Sequence, residues 1–198
     1  EMEVAFLLQK GLCLNQHRDY PSAIACYDRI LKLKPDCTDA WYNRGNSLYH
    51  LGHYEGAIAS YDEALELEPG FSEAWNNRGN ALDDLQRYED AILSYDQALK
   101  YCPSYTQAWY NRGICLRNLE RFEEAVLSYD RAIEFNPDDY LAWYNRALAL
   151  CQLEQMEKAL SSFDKALELR PDLEEVWARR ANALSTMGQG EAAMIGYD

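Results

Sequence analysis

The sequence predicts an all-α chain made of a tandem 34-residue repeat, because two residue types recur at that step and the segments between them have helical periodicity. The repeated tryptophans are Trp41, Trp75, Trp109, Trp143 and Trp177. The repeated prolines are Pro35, Pro69, Pro103, Pro137 and Pro171. A fixed period of this size indicates a stacked array in which each unit buries its apolar face on its neighbours. No segment alternates apolar and polar residues with period two, so we expect no β-strands.

Each copy contains two apolar-periodic stretches of about a dozen residues, separated by a short turn. In the second copy they span roughly residues 39–51 and 55–67, with Gly52 and His53 in the turn and Pro69 after the second stretch. Aligned on the tryptophans, residues 1–198 form a single array whose last copy is shortened. The copies span residues 4–37, 38–71, 72–105, 106–139, 140–173 and 174–198.

Small residues mark the places where two helices should approach closely. A glycine inside a helix costs about 1 kcal/mol relative to alanine, so recurrent glycines in the first helix indicate that a partner backbone lies against them. They are Gly11, Gly45, Gly79 and Gly113, with Ala147 and Ala181 in the later copies. The second helix repeats an alanine, at Ala23, Ala57, Ala91, Ala125, Ala159 and Ala193. Beside it stands an aromatic residue, at Tyr27, Tyr61, Tyr95, Tyr129, Phe163 and Tyr197. We interpret all three sets as core packing.

The combined motif W-x-N-x-G, followed by alanine, an aromatic residue, a second alanine and proline, resembles the tetratricopeptide repeat over essentially the whole chain. The form W-[YN]-N-R-G also looks like that of long bacterial arrays, particularly cyanobacterial ones. The resemblance implies antiparallel helix pairs wound into a right-handed α–α superhelix, with the first helices lining a concave groove. It also implies a scaffold that holds a peptide or an extended protein segment.

One repeated position departs from the family pattern, in which leucine is usual. It holds Arg44, Arg78, Arg112, Arg146 and Arg180, with Lys10 in the first copy. Eighteen residues after each stands an aspartate, namely Asp28, Asp62, Asp96, Asp130, Asp164 and Asp198. We predict a ladder of ion pairs within the repeats, because a guanidinium pairs with a carboxylate even when partly buried. Loss of one partner of a truly buried pair would cost about 3–5 kcal/mol. A cationic stripe for a ligand carboxylate is the alternative, and the matching aspartates argue against it.

A row of asparagines, each two residues after a tryptophan, is a candidate binding surface formed by Asn43, Asn77, Asn111 and Asn145. A carboxamide both donates and accepts, so the row could hold an extended peptide backbone at a net ~0.5–1.5 kcal/mol per bond. It resembles the asparagine ladder in the repeat domain of a glycosyltransferase. The structural alternative is that these amides cap or bridge neighbouring helices.

By the family's pattern, the groove around that row presents further aromatic, amide and charged side chains. These candidates are Tyr42, Asn46, Tyr49, Asn76, Asn80, Asp83, Asp84, Tyr110, Arg117 and Tyr144. The third copy makes its section of the groove acidic, so we expect an extended peptide that carries Lys or Arg near Asp83 and Asp84. The family's carboxylate clamp needs a lysine directly after the tryptophan position, and no copy has one.

Composition argues against several classes of partner. The net charge of −14 at pH 7 disfavours nucleic acid and anionic membrane surfaces as ligands. No apolar run approaches the ~20 residues of a membrane span, and the first residues lack the basic head of a secretory signal. Six cysteines without paired spacing are typical of reduced thiols in a cytosolic protein. We therefore expect a cytoplasmic protein.

Motifs for catalysis are absent from the sequence: it has no GxSxG, P-loop or HExxH. His17, His50 and His53 lie near turns, with no cysteine placed to complete a tetrahedral metal site. We expect neither an enzyme nor a bound cofactor or metal.

Three compatible functional hypotheses follow, and a peptide-binding scaffold is favoured. The second is a recognition arm of a larger glycosyltransferase, kinase or protease, which the end of the sequence inside a helix suggests. The third is end-to-end self-association through the apolar face of the last repeat.

Overall fold

The computed structural model describes residues 2–195 and the side chains of residues 2–188, and all regular secondary structure within that range is helical. The all-α prediction is therefore confirmed. The helices are α1 (Met2–Gln16), α2 (Tyr20–Leu33), α3 (Thr38–His50), α4 (Tyr54–Leu67), α5 (Ser72–Asp84), α6 (Tyr88–Tyr101), α7 (Thr106–Asn118), α8 (Phe122–Phe135), α9 (Tyr140–Gln152), α10 (Met156–Leu169) and α11 (Glu174–Ile195).

The chain forms two compact units, Glu1–Pro103 and Ser104–Asp198. The first contains α1–α6 and the second contains α7–α11. In each unit, every helix packs against the next one along the chain. The first helices also touch one another, α1 with α3, α3 with α5, and α7 with α9. Side chains from successive first helices therefore meet on one face of each unit.

A left-handed residue ends the turn between the two helices of a pair. Gly52 has φ +76°, and the equivalent residues of the other copies have φ of 57–60°. Those residues are Arg18, Gln86, Glu120 and Glu154. In the last copy α11 continues through this point, so the expected second helix is not formed there. The described residues after this point extend α11 to Ile195.

A tyrosine ring packs on the recurrent glycine of its partner helix. A Cβ added at Gly79 would lie 2.5 Å from Cε1 of Tyr95, and the other three glycines face their tyrosines at 2.6–2.7 Å. A close approach is therefore present, but our expectation of a partner backbone at these sites was wrong. In the fifth copy Ala147 and Phe163 replace this pair, and both are fully buried.

The shared period of tryptophan and proline has one local cause. The indole Nε1 of Trp41 donates to the carbonyl oxygen of Pro35 at 2.9 Å. The same bond recurs as Trp75–Pro69, Trp143–Pro137 and Trp177–Pro171, at 2.8–3.0 Å. These four tryptophans thus tie the start of a first helix to the end of the preceding helix pair.

Four of the repeated arginines join their own helix pair to the preceding one. Nε of Arg44 donates to Asp28 Oδ1 at 2.7 Å, and Arg78 binds Asp62 in the same way at 2.6 Å. The second unit contains Arg146–Asp130 and Arg180–Asp164, both at 2.6 Å. The ion pairs exist, but the predicted pairing within a repeat is wrong. A constant period fits either aspartate, and the second helix of one repeat packs on the first helix of the next, which brings the preceding aspartate to the arginine.

The ladder predicted from the sequence also included Lys10, Arg112, Asp96 and Asp198. Lys10 is exposed, whereas Arg112 donates to Ser128 Oγ at 2.8 Å. Asp96 belongs to the first unit and Arg112 to the second. Asp198 lies outside the described residues.

A buried serine that the prediction overlooked accepts a hydrogen bond from four of the repeated arginines. Nη1 of Arg44 donates to Ser60 Oγ at 2.7 Å, and this serine recurs as Ser94, Ser128 and Ser162 with the same arginine bond. Each hydroxyl in turn donates to the carbonyl four residues earlier. Because these serines also follow the repeat period, the sequence contained the signal for them.

The hydroxyl groups of the packed tyrosines do not all have the same environment. Tyr61 Oη donates to Asn46 Oδ1 at 2.8 Å, and Tyr95 Oη donates to Asn80 Oδ1 at 2.9 Å. Tyr129 has Ile114 at the corresponding position, and its buried hydroxyl has no hydrogen-bond partner among the described residues. Burial raises the pKa of the Tyr61 and Tyr129 hydroxyls, so both are neutral at physiological pH.

We expect Arg78→Met to lower the free energy of unfolding by about 1–3 kcal/mol, because it removes the bonds to Asp62 and Ser94 together. The loss stays below that of a fully buried pair because the Asp62 side chain is 47% exposed. Arg87→Met is the matched control. It breaks a surface pair with Asp90 and should change stability by less than about 1 kcal/mol. Urea unfolding followed by circular dichroism measures both, and equal losses would contradict a structural ladder.

We expect opposite outcomes when two equivalent tyrosines are changed to phenylalanine. Tyr61→Phe removes a made hydrogen bond and should destabilise by about 0.5–1.5 kcal/mol. Tyr129→Phe removes a buried hydroxyl without a partner and should leave stability unchanged or raise it. Thermal and urea unfolding of the two variants give the comparison, and a larger loss for Tyr129→Phe would show that its hydroxyl is bonded in solution.

Candidate functional site

Two asparagines of the predicted row connect neighbouring repeats. Nδ2 of Asn77 donates to Tyr42 Oη at 3.1 Å, and Nδ2 of Asn145 donates to Tyr110 Oη at 3.1 Å. Asn145 Nδ2 also donates to the carbonyl of Leu141 at 2.9 Å. These are the bridging bonds that the structural alternative describes.

Contacts within one helix are present at Asn43 and Asn111. Asn43 Nδ2 donates to the carbonyl of Asp39 in its own helix at 2.8 Å. Asn111 Oδ1 accepts a bond from Gln107 Nε2 at 2.9 Å. The four amides therefore do not share one environment, and a uniform peptide-binding row remains a prediction.

A polar cavity of about 420 Å3 lies in the first unit where α1, α3 and α5 meet. We call it the amide pocket. Its lining residues are Asn15, Tyr20, Asn46, Tyr49, His50, Tyr61, Asn77 and Asn80. Four of them, Asn46, Tyr49, Asn77 and Asn80, belong to the binding residues predicted from the sequence.

The hydrogen bonds around Asn46 fix what the amide pocket can offer. Asn46 Oδ1 accepts from Tyr61 Oη at 2.8 Å and from Asn77 Nδ2 at 3.0 Å. A carboxamide oxygen has two lone pairs, so this acceptor is fully used. The Nδ2 group of Asn46 makes no hydrogen bond to the residues that the structure describes. Asn46 therefore presents a donor to the pocket and no acceptor.

The acidic residues predicted for the groove lie beside this pocket. Tyr49 Oη donates to Asp84 Oδ2 at 2.6 Å. Burial raises the pKa of Tyr49, and the bond to Asp84 raises it further, so Tyr49 is a neutral donor. Asp84 is exposed and Asp83 is half-buried. The carboxylates thus place negative charge next to Tyr49, a lining residue of the amide pocket.

A second cavity, of about 530 Å3, lies in the second unit between α7, α9 and α11. We call it the arginine pocket. Its lining residues are Arg117, Asn118, Glu120, Phe122, Leu148, Cys151, Gln152, Met156, Phe163, Arg179, Asn182, Ala183 and Thr186. Of the predicted binding residues, Arg117 is the one that lines it, and its Nη1 donates to Asn145 Oδ1 at 2.5 Å.

The remaining predicted residues contact other groups. Tyr144 Oη donates to Glu175 Oε1 at 2.6 Å. Asn76 is buried, and its Nδ2 donates to Asn77 Oδ1 at 3.2 Å. Neither is among the lining residues of the two pockets.

The sequence interpretation missed Asn15, Tyr20, His50 and Tyr61 as pocket residues. Asn15 occupies the same repeat position as Tyr49, Asp83 and Arg117, which were all proposed. Extension of that position to the first copy would have found it. Tyr61 was assigned to the core, and it is buried, but its hydroxyl reaches Asn46 at the pocket.

Three observations bear on other kinds of site. Within residues 2–188, no group of three or more His, Cys, Asp or Glu side chains is arranged to hold a metal ion. The six cysteines are free thiols, and Cys26, Cys37 and Cys115 are buried. No helix in the described part of the chain combines the length and apolar character needed to cross a membrane.

Solved structures with similar folds are known. One crystal structure of MamA is 22% identical, covers 85% of this chain and 92% of its own, and superposes with a TM-score of 0.80. MamA from Desulfovibrio magneticus RS-1 is 17% identical, with coverages of 88% and 98% and a TM-score of 0.81. YrrB, described as a TPR protein with an unusual peptide-binding site, is 24% identical, with coverages of 88% and 90% and a TM-score of 0.77. At these identities the likeness shows the fold alone.

Sequence comparison identifies the family directly. No curated protein sequence matches the chain. Three family models described as tetratricopeptide repeat match residues 11–82, 76–140 and 140–173. These matches run through the helix pairs of both units, and the chain therefore belongs to the tetratricopeptide repeat family.

Proposed function

We propose that the chain is a protein-interaction scaffold whose first unit binds an extended peptide at the amide pocket. Tetratricopeptide repeats are generally non-catalytic interaction modules. The observation that carries the proposal is the cavity itself, in which an amide donor stands beside tyrosine rings. YrrB, which shares the fold, is described as having a peptide-binding site.

The donor of Asn46 suits a peptide carbonyl oxygen. Tyr61 and Asn77 occupy both lone pairs of the Asn46 oxygen, which orients its Nδ2 as a donor. Such a bond holds the backbone without reading the side chain of the ligand. Tyr20 and Tyr49 add contact area at low conformational cost, since a tyrosine has few rotatable bonds.

The charge beside the pocket favours a ligand with a basic residue. Asp84 is held by Tyr49 Oη, and Asp83 lies next to it on α5. The whole chain carries a net charge of −14, so a Lys or Arg side chain would be attracted at long range and positioned at these carboxylates. Binding should weaken as the salt concentration rises.

We expect Asn46→Asp to raise the Kd for such a peptide about tenfold or more. Aspartate keeps both internal acceptor bonds and replaces the donor with an oxygen. The probe is a short peptide, selected from a random library on the immobilised chain and labelled for fluorescence anisotropy.

Asn43→Asp adds the same charge at an amide that is bonded to its own helix, and it should not weaken binding. An unchanged Kd for Asn46→Asp would place the peptide elsewhere. A selected peptide without Lys or Arg would contradict the role given to Asp83 and Asp84.

A further inference from the structure

The two pockets occupy the same positions of the repeat, three repeats apart. Each of the eight lining residues of the amide pocket has its counterpart among the lining residues of the arginine pocket. The two cavities are thus built from equivalent repeat positions, and their chemistry can be compared position by position. The comparison shows which ligand groups each cavity can receive.

Three hydrogen-bonding groups of the amide pocket are replaced by apolar or weakly polar ones. Leu148 stands in the place of Asn46, Cys151 in that of Tyr49, and Phe163 in that of Tyr61. Phe163 is fully buried, and Leu148, Cys151 and Met156 pack against the core cluster that contains it. Methionine adapts its shape to a partner. This side of the arginine pocket therefore suits one bulky apolar side chain.

Two neutral amides of the amide pocket are replaced by cations. Arg117 stands in the place of Asn15, and Arg179 in that of Asn77. The bond that Arg117 makes is to the neutral amide oxygen of Asn145, which does not balance its charge. Arg179 lies 3.8 Å from Glu175 Oε1, at a site where both side chains are more than half exposed.

Neither arginine of this pocket is hydrogen-bonded to a carboxylate among the described residues. Glu175 Oε1 accepts the short bond from Tyr144 Oη and lies 3.8 Å from Arg179, beyond hydrogen-bond distance. Glu120 is the one carboxylate among the lining residues. Two arginines at one cavity stand out in a chain with 33 acidic and 19 basic residues, and guanidinium groups bind carboxylates with directed hydrogen bonds.

We propose that the arginine pocket binds an acidic peptide segment, in which a large apolar side chain enters the cavity and flanking Asp or Glu carboxylates reach Arg117 and Arg179. Its ligand is thus opposite in charge to the one proposed for the amide pocket. The inference rests on the residues of the second unit and does not depend on peptide binding in the first.

Three labelled peptides that differ in one central triplet test this inference: Glu-Leu-Glu, Glu-Ser-Glu and Lys-Leu-Lys. Fluorescence anisotropy with the Asn46→Asp chain, whose proposed site for a basic peptide in the first unit is weakened, should give the tightest binding for Glu-Leu-Glu. Loss of the leucine or reversal of the charge should each weaken it about tenfold or more. Equal binding of the three peptides, tighter binding of Lys-Leu-Lys, or no measurable binding of Glu-Leu-Glu would overturn the proposal.

Variants of the second unit test whether Glu-Leu-Glu binds at the arginine pocket. Arg179→Gln and Leu148→Asn should each weaken Glu-Leu-Glu binding about tenfold. Arg179 is more than half exposed, so its variant should keep the wild-type helical signal and unfolding midpoint even if Leu148→Asn disturbs packing. Lys165→Gln removes a surface cation of the same unit that pairs with Glu168 and should leave binding unchanged.

The amide-pocket variant Asn46→Asp separates this inference from the proposed function. It should not affect Glu-Leu-Glu, and loss of binding there would move the acidic peptide to the first unit and overturn the inference. Unchanged binding of Glu-Leu-Glu to the Arg179→Gln variant would also overturn the inference.

Discussion

The contact between a tyrosine ring and a glycine sets the distance between the two helices of a repeat. At Gly79 a single added carbon would lie within 2.5 Å of the Tyr95 ring, so the helices come as close as the ring permits. The same contact directs the tyrosine hydroxyl beyond the core, where Tyr61 and Tyr95 reach Asn46 and Asn80. Core packing and pocket chemistry thus depend on the same side chain.

That dependence explains how equivalent cavities acquire different properties. Where the ring is Tyr61, its hydroxyl binds an amide and the cavity is polar. Where the ring is Phe163, the amide position holds Leu148, so one side of the cavity is apolar and two arginines line it elsewhere. The two cavities are built from equivalent positions of the repeat. A few substitutions at groove positions are therefore enough to reverse the charge of the ligand that a cavity favours.

The fold could be predicted from the sequence because its signals are redundant. Copies two to five each carry the tryptophan, the proline and two apolar stripes, and the helix bounds of the second copy agree with the prediction within two residues. The partner of Arg78 could not be predicted, because a constant period places one aspartate before and one after every arginine. Only the packing of the second helix on the next first helix selects Asp62.

The candidate site was harder to predict for a different reason. Asn77 and Asn46 both fit the pattern of groove residues, and the sequence does not show which donors are already bonded. The structure shows that Nδ2 of Asn77 binds Tyr42 and Asn46, whereas Nδ2 of Asn46 has no such bond among the described residues. Whether an asparagine donor already has a hydrogen-bond partner depends on the side-chain directions in neighbouring repeats. The motif of a single repeat does not contain that information.

The ion pairs between neighbouring repeats bear on how cooperatively each unit unfolds. The stability of a repeat array divides into the intrinsic stability of each helix pair and the coupling between neighbours. Asp28–Arg44 and Asp62–Arg78 join different helix pairs, as do the tryptophan bonds to the preceding prolines. All of these contribute to coupling, and an isolated helix pair would lack them. Fraying of one pair therefore weakens the next, which favours concerted unfolding within a unit over the loss of single repeats.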